Sequence, residues 1–292
     1  MTVLVLGAGG LLGSSVTAEA MDRGRAVVAA FHSQAPEFET ELVQYDVTDT
    51  EDFIGLLVEY EPDVVVNCAA MTDVDGCEAR PERAREVNGR APGRLAECAA
   101  DHDVDFVHVS TDYVFNGRAS QSYEEASGTN PIQAYGRSKR LGEQRVQESH
   151  SEALVVRLSF VYGQRGDSGR LEGFPSWVRE QLDAGDSLPL FADQHVTPSR
   201  AGHVAETIFD LLSLDASGVV HVASSSCVSP YEIGLTMADI VGESTEKISK
   251  SALADVERDA ERPRHTCLDV KKVESLLDRP QPTLEEDLRA IL

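Results

Sequence analysis

The chain begins with an apolar run, Val3-Leu4-Val5-Leu6, that passes directly into Gly7-Ala8-Gly9-Gly10-Leu11-Leu12-Gly13 and then into a helix-forming stretch. An apolar strand without polar alternation predicts burial on both faces, as in a parallel sheet. Glycines after such a strand let the backbone turn tightly and approach a pyrophosphate, which then rests on the N-terminus of the next helix. The spacing is G-x-x-G-x-x-G and not G-x-G-x-x-G, with Gly9 adding freedom. Alone, a Gly-rich turn is weak evidence. Between a strand and a helix it predicts a dinucleotide site formed by Gly7, Gly10, Leu11, Leu12 and Gly13.

The same alternation continues. Apolar runs at 26–31, 43–45, 64–68, 105–109 and 153–157 predict further strands. Helical patterns fall at 11–23, from the Asp49 cap to about 60 with Asp52 as the N3 carboxylate, at 81–102 with a bend near Pro92, and at 135–148. Strands alternating with helices predict an α/β doubly wound parallel sheet of Rossmann type. Residues 1–160 are expected to form an NAD(P)-binding Rossmann domain. Residues 161–292 are expected to be mainly a smaller C-terminal substrate-binding lobe, with some segments returning to the main sheet. In that lobe helices are expected at 174–184, 203–212, 231–241 and 284–291, and strands at 188–191 and 219–222. Residues 163–173, rich in Gly and charge, read as a mobile loop.

Charge narrows the function. Fifty Asp and Glu against 26 Lys and Arg give a net charge of −24, which makes nucleic acid and anionic membranes poor partners. The acids are dispersed, and five Lys stand against 21 Arg. Such a surface fits a halophilic protein, because salt screens the self-repulsion. With no run long enough for a membrane helix and no signal peptide in the first residues, a soluble, cytoplasmic protein is expected. The five cysteines show no C-x-x-C spacing, which predicts reduced thiols and no structural zinc.

Ligands of an open α/β sheet bind beyond the carboxyl ends of its strands, and the candidate residues fall there. After the second strand, Phe31-His32-Ser33 has no acid to hold a ribose 2′-hydroxyl. His32 with hydroxyl donors tolerates a 2′-phosphate, so NADPH is the expected cofactor and NADH the alternative. Asp46-Val47 ends the third strand. Asp46 is either an acceptor for the adenine amine or a capping acid of its loop. Ala69-Ala70 end the fourth strand with small side chains that let a cofactor approach. Thr111 ends the fifth, either as a hydrogen-bond donor to a substrate carbonyl or as a turn residue. Tyr135 and Lys139 are four apart on one helix face. They are either two solvated residues or a proton-transfer pair in which the cation lowers the phenol pKa.

Longer motifs go further: 65–75, Ser110-Thr111-Asp112-Tyr113-Val114-Phe115-Asn116-Gly117, Tyr135-Gly136-Arg137-Ser138-Lys139 with Gly142-Glu143, 156–163, Asp193-Gln194 with Thr197-Pro198, and Arg262-Pro263 with Leu268-Asp269. On these the chain resembles the extended short-chain dehydrogenase/reductases, and within them the dTDP-4-dehydrorhamnose reductases. The resemblance implies reduction of the C4 ketone of a nucleotide-activated 4-keto-6-deoxy sugar. In that reading Tyr135 gives the proton, Lys139 tunes Tyr135 and holds the nicotinamide ribose, and Thr111 hydrogen-bonds the carbonyl. Thr72, Val74, Asp112, Tyr113, Phe160 and Arg262 would lie along the substrate. Phe160 stands where these reductases often have Trp, and His195 follows Asp193-Gln194 as a substrate contact or a plain loop residue. Some relatives bind Mg²⁺ through a Glu early in the first helix. Ser14 and Ser15 stand there here, so no metal is expected. The oligomer implied is a monomer or homodimer. Two alternatives remain. One is an epimerase or dehydratase, against which Asp112-Tyr113 replaces the usual acidic pair. The other is a non-catalytic NADP-binding regulator like the regulatory subunit of methionine adenosyltransferase.

Overall fold

A computed structural model describes residues 1–292. The N-terminal half runs β1 (Thr2–Leu6), α1 (Leu11–Asp22), β2 (Ala26–Phe31), β3 (Glu41–Gln44), α2 (Thr50–Tyr60), β4 (Val64–Asn67), α3 (Val74–Ala79), α4 (Pro81–Arg85), α5 (Ala91–Asp101), β5 (Asp105–Thr111), α6 (Ala134–Ser149) and β6 (Leu154–Leu158). There follow β7 (Val161–Gln164), β8 (Leu171–Glu172), α7 (Phe174–Ala184), β9 (Leu188–Phe191), β10 (Ser199–Arg200), α8 (Ala201–Leu212) and β11 (Gly218–His221). The chain ends with α9 (Pro230–Val241), β12 (Ile248–Ser251), α10 (Lys271–Leu277) and α11 (Leu284–Arg289).

Seven strands form one parallel sheet in the order β11-β6-β5-β4-β1-β2-β3. The chain leaves β1 in one direction for β2 and β3, then returns to its other side for β4, β5, β6 and β11. The reversal between β1 and β4 is the crevice where such sheets bind ligands. Period-two geometry splits each strand between two cores. Val3, Val5, Val64 and Val66 face a layer with Val16 of α1 and Val204 and Ile208 of α8. Leu4, Leu6 and Val65 face Phe53 and Leu57 of α2 and Leu95 and Ala99 of α5. A third core, around Val178, Leu188, Ile233, Met237 and Leu288, lies among α7, β9, α9 and α11. Through β11, α8 and α10 the C-terminal part contributes Val220, Val204 and Val273 to the core of the main sheet.

Three expectations are corrected. Residues 163–173 are an ordered antiparallel hairpin of β7 and β8. Its tip is fixed because Arg165 Nη1 donates to Gly9 O at 3.1 Å and Gly166 N to Ser14 Oγ at 3.1 Å. The expected helix at 81–102 is three pieces, with a π-turn over Glu86–Arg90 between α4 and α5. Pro92 lacks the N–H that would bond Asn88 O, which removes a rung of the helical ladder at that point. The cysteines are not all reduced: Cys227 and Cys267 form a disulfide. Forty residues separate them, so no local spacing revealed the pair. No helix is long and apolar enough to cross a membrane.

Candidate active site

The carboxyl ends of the sheet open into a cleft of about 810 Å³. Its floor is the Gly-rich turn. A Cβ at Gly13 would lie 2.1 Å from Gly7 O, so α1 can start this close to β1 only with glycine there. Helix α1 has Gly10 as N-cap with no side-chain cap, and no acid in its first turn. The backbone N–H groups at its start therefore face the cleft without a competing side chain, which is what a bound pyrophosphate needs.

One end of the cleft is polar. His32 Nε2 lies 3.7 Å from Asp46 Oδ2 and Arg83 Nη2 lies 3.5 Å from it. The other carboxylate oxygen accepts from Thr48 N at 2.9 Å and Thr48 Oγ1 at 2.8 Å. Partial burial opposes ionisation of Asp46, but Thr48, Arg83 and His32 outweigh it and hold the pKa below the usual value. Val47, Ala69 and Ala70 line the adjoining wall, as do Arg80 and Arg83 of the α3–α4 region, which the sequence reading missed.

The opposite end holds the candidate chemistry. Thr111 ends β5, accepts from Tyr113 N at 3.2 Å and donates to Asp112 Oδ1 at 3.0 Å. Asp112 is buried, and its other oxygen accepts from Ser159 Oγ at 2.8 Å and Thr266 Oγ1 at 2.5 Å. Burial pushes its pKa up to about 6 against the pull of those hydroxyls. The side chain is thus committed to holding Thr111, Ser159 and Thr266, although Asp112 also borders the cleft. Tyr113 meets Tyr135 edge-on, with ring centroids 6.0 Å apart, and its hydroxyl lies 3.4 Å from Gln194 Nε2.

Tyr135 and Lys139 project from the first turns of α6 into this end. Helix α6 packs tightly: a Cβ at Gly142 would lie 2.3 Å from Asn88 O. Asn88, buried in the π-turn, accepts from Met71 N at 2.8 Å and donates to Met71 O at 2.9 Å and Ser138 Oγ at 3.1 Å. It ties the loop after β4 to the helix that carries Tyr135 and Lys139.

Burial dominates the proton affinity of both residues in the structure. Burial raises the Tyr135 pKa well above that of a free phenol, with the Thr111 hydroxyl pulling the other way. Lys139 Nζ donates to Val109 O at 2.5 Å and is lowered to about 8 by burial, against the opposing charge of Glu143. Tyr135 therefore keeps its proton at ordinary pH.

Thr72, Val74 and Phe160 also line the cleft, and Arg262 does not. Arg262 is tied to Asp75, with Nη2 2.7 Å from Oδ2, one residue beyond Val74. Phe160 has φ of 48°, a left-handed conformation rare for a bulky residue, and packs edge-on against Phe174 at 5.3 Å. His195 sits behind the cleft wall, its backbone N–H bonded to Arg264 O at 2.7 Å, while its neighbour Val196 lines the cleft.

With this geometry in hand, comparison with known proteins is specific. The family model described as the RmlD substrate-binding domain matches residues 1–292. A probable low-salt glycan biosynthesis reductase of Haloferax volcanii is 52% identical over 291 residues, covering 100% of this chain and 97% of that protein. A dTDP-4-dehydrorhamnose reductase of Mycolicibacterium smegmatis is 34% identical over 269 residues, covering 91% and 77%. Among solved structures, a hypothetical dTDP-4-dehydrorhamnose reductase from Sulfolobus tokodaii superposes with a TM-score of 0.86 at 30% identity, covering 99% of each chain.

Proposed function

The chain belongs to the RmlD substrate-binding domain family, and from that membership we propose that it is an NADPH-dependent reductase of the C4 ketone of a nucleotide-activated 4-keto-6-deoxy sugar, converting dTDP-4-dehydrorhamnose to dTDP-rhamnose. The observation that carries this reading is the meeting of Thr111, Tyr135 and Lys139 in the same cleft as the uncapped start of α1. A solved dTDP-4-dehydrorhamnose reductase of Bacillus anthracis is described in complex with NADP, which supports the cofactor assignment.

The residues fit a dinucleotide. The start of α1 binds the pyrophosphate through backbone N–H groups. Asp46 keeps one carboxylate oxygen free of Thr48 for the adenine amine. Arg83 would supply positive charge to a ribose 2′-phosphate, with His32 as a neighbouring hydrogen-bond partner. The cofactor supplies the hydride. Tyr135 Oη gives its proton to the oxygen of the ketone as it gains electrons. The Thr111 hydroxyl, which donates to Asp112 Oδ1 in the structure, would turn from that oxygen to orient the ketone, and Lys139 would hold the nicotinamide ribose and stabilise the phenolate left on Tyr135. Phe160 and Thr72 border the sugar.

The test uses the full chain in molar salt, because the charge of −24 calls for screening. NADPH oxidation is followed with dTDP-4-dehydro-6-deoxy-L-mannose. Tyr135→Phe should lower kcat by about 10²–10⁴-fold, the range of general acid catalysis, with NADPH affinity within about threefold. Absence of turnover by the unaltered protein, with NADPH bound, refutes the reductase and favours a cofactor-binding regulator.

A further inference from the structure

Cys227, His265 and Cys267 lie outside the cleft and take no part in the proposed reaction. One ligand atom from each lies within 4.8 Å of the others. Two are already joined as the Cys227–Cys267 disulfide, and His265 Nε2 lies 3.7 Å from Cys227 Sγ. Cys267 is buried and Cys227 is exposed, so a reductant reaches the pair from one side.

The backbone around these residues is stitched. Val196 and Val228 exchange two bonds of 2.9 Å. His195 donates to Arg264 O at 2.7 Å and accepts from Thr266 N at 2.9 Å. Tyr123 N donates to Cys267 O at 2.8 Å. The three side chains are therefore presented by a scaffold that does not depend on the disulfide alone.

We propose that, once a dithiol has reduced the disulfide, Cys227, Cys267 and His265 form a site for one thiophilic divalent cation, with zinc the best match and water in the fourth position. In the first step the reductant is oxidised to its own disulfide. The S–S bond breaks, and two electrons and two protons go to Cys227 and Cys267. In the second step the cation forms bonds to both sulfurs and to His265 Nε2, and both thiol protons leave to solvent. Geometry supports the ligand set. Zinc bonds of about 2.3 Å to sulfur and about 2.0 Å to nitrogen in a tetrahedron place S and N about 3.5 Å apart. The observed separation is 3.7 Å. The sulfurs need only part to about 3.8 Å, the tetrahedral edge for two thiolates, on the side where Cys227 is exposed. Two thiolates with an imidazole select zinc or cobalt over magnesium or calcium.

The experiment compares full-length protein in oxidised form with protein reduced by dithiothreitol and desalted anaerobically. Each is titrated with Co²⁺, then with Zn²⁺ as competitor. The expected result is one Co²⁺ per chain with a thiolate-to-cobalt charge-transfer band in the reduced protein, none in the oxidised protein, and displacement by Zn²⁺. Cys227→Ser should remove the saturable band. His265→Ala should weaken binding by about tenfold or more while leaving thiolate absorption. Circular dichroism checks that each variant is folded. Failure of the reduced chain to bind Co²⁺ overturns the proposal. So does a band of unchanged intensity and affinity in folded Cys227→Ser, since the bound cation would then not use Cys227.

Discussion

Glu143→Gln tests the buried electrostatics behind the site with two independent readouts. The Glu143 side chain is 0% exposed and that of Arg157 is 3% exposed. Glu143 accepts from Ser110 Oγ at 2.6 Å, Arg157 Nε at 2.7 Å, Arg157 Nη2 at 2.9 Å and Arg140 Nη1 at 3.0 Å. Glutamine keeps the shape, loses the charge and turns one acceptor into a donor against a guanidinium. Arg157 cannot shed its proton, and it would keep one neutral amide oxygen in place of the carboxylate, with Glu125 O at 3.3 Å, His221 Nε2 at 3.4 Å and the face of Phe115. Removing one partner of a buried pair costs about 3–5 kcal/mol. An unfolding entropy of roughly 0.6 kcal/mol/K for a chain this long converts that to a Tm loss of about 5–8 °C. The second readout is pH. Lys139 is lowered to about 8 by burial, and the Glu143 charge is what opposes the fall. The ammonium exists below that pKa, so kcat/KM should decline as pH rises through about 8. Without the Glu143 charge the proton leaves sooner, and the limb moves to lower pH. Calorimetry and a pH series of NADPH oxidation in constant salt measure both. A Tm within about 1 °C of the unaltered protein refutes the energetic role of the pair. A folded variant with an unmoved alkaline limb refutes the coupling of Glu143 to Lys139.

Three further outcomes are expected. Lys139→Met removes a buried cation whose folded pKa lies below its unfolded value of about 10.5, so the native state gains stability below pH 8 while turnover is lost; this penalty on the unaltered protein fades as pH rises from about 8 to 10.5. Thermal melts at pH 7 and pH 10 check it, and a gain that does not shrink at pH 10 counts against it. Gly13→Ala places a methyl 2.1 Å from Gly7 O, so NADPH binding measured by fluorescence should be lost, with stability lower by about 1–3 kcal/mol. Glu61→Gly, at an exposed helix end with φ of 42°, should raise stability by about 0.5–1 kcal/mol in denaturant melts with unchanged activity.

What was legible in the sequence follows from how local each signal is. The strands at 3–6, 26–31 and 64–68 carry their burial in their own composition, and β1, β2 and β4 lie where the apolar runs are. Strand ends then fix the rim of the cleft, which is why Gly10, Asp46, Ala69 and Thr111 line it. Residues 163–173 misled because what orders them is remote: Gly9 O and Ser14 Oγ are about 150 positions earlier in the chain. Arg262 likewise has a partner remote in sequence. Its motif position says nothing of Asp75, which holds its guanidinium at 2.7 Å.

The tyrosine–lysine pair shows where such reading stops. Their spacing gives a shared helix face, but the proton affinity of each depends on burial and on third parties. Lys139 points at Val109 O, and desolvation lowers its pKa. Tyr135 is left neutral. That is the state a ketone reductase needs at the start of the reaction, because the proton must still be on the phenol when the carbonyl oxygen becomes basic. A cation already stabilising phenolate in the resting site would weaken the acid before it was used. Lys139 helps most if its charge meets the phenolate only as that anion forms, a case of stabilising the transition state in preference to the ground state. Desolvation, which makes Lys139 costly to keep charged, also makes that late interaction strong.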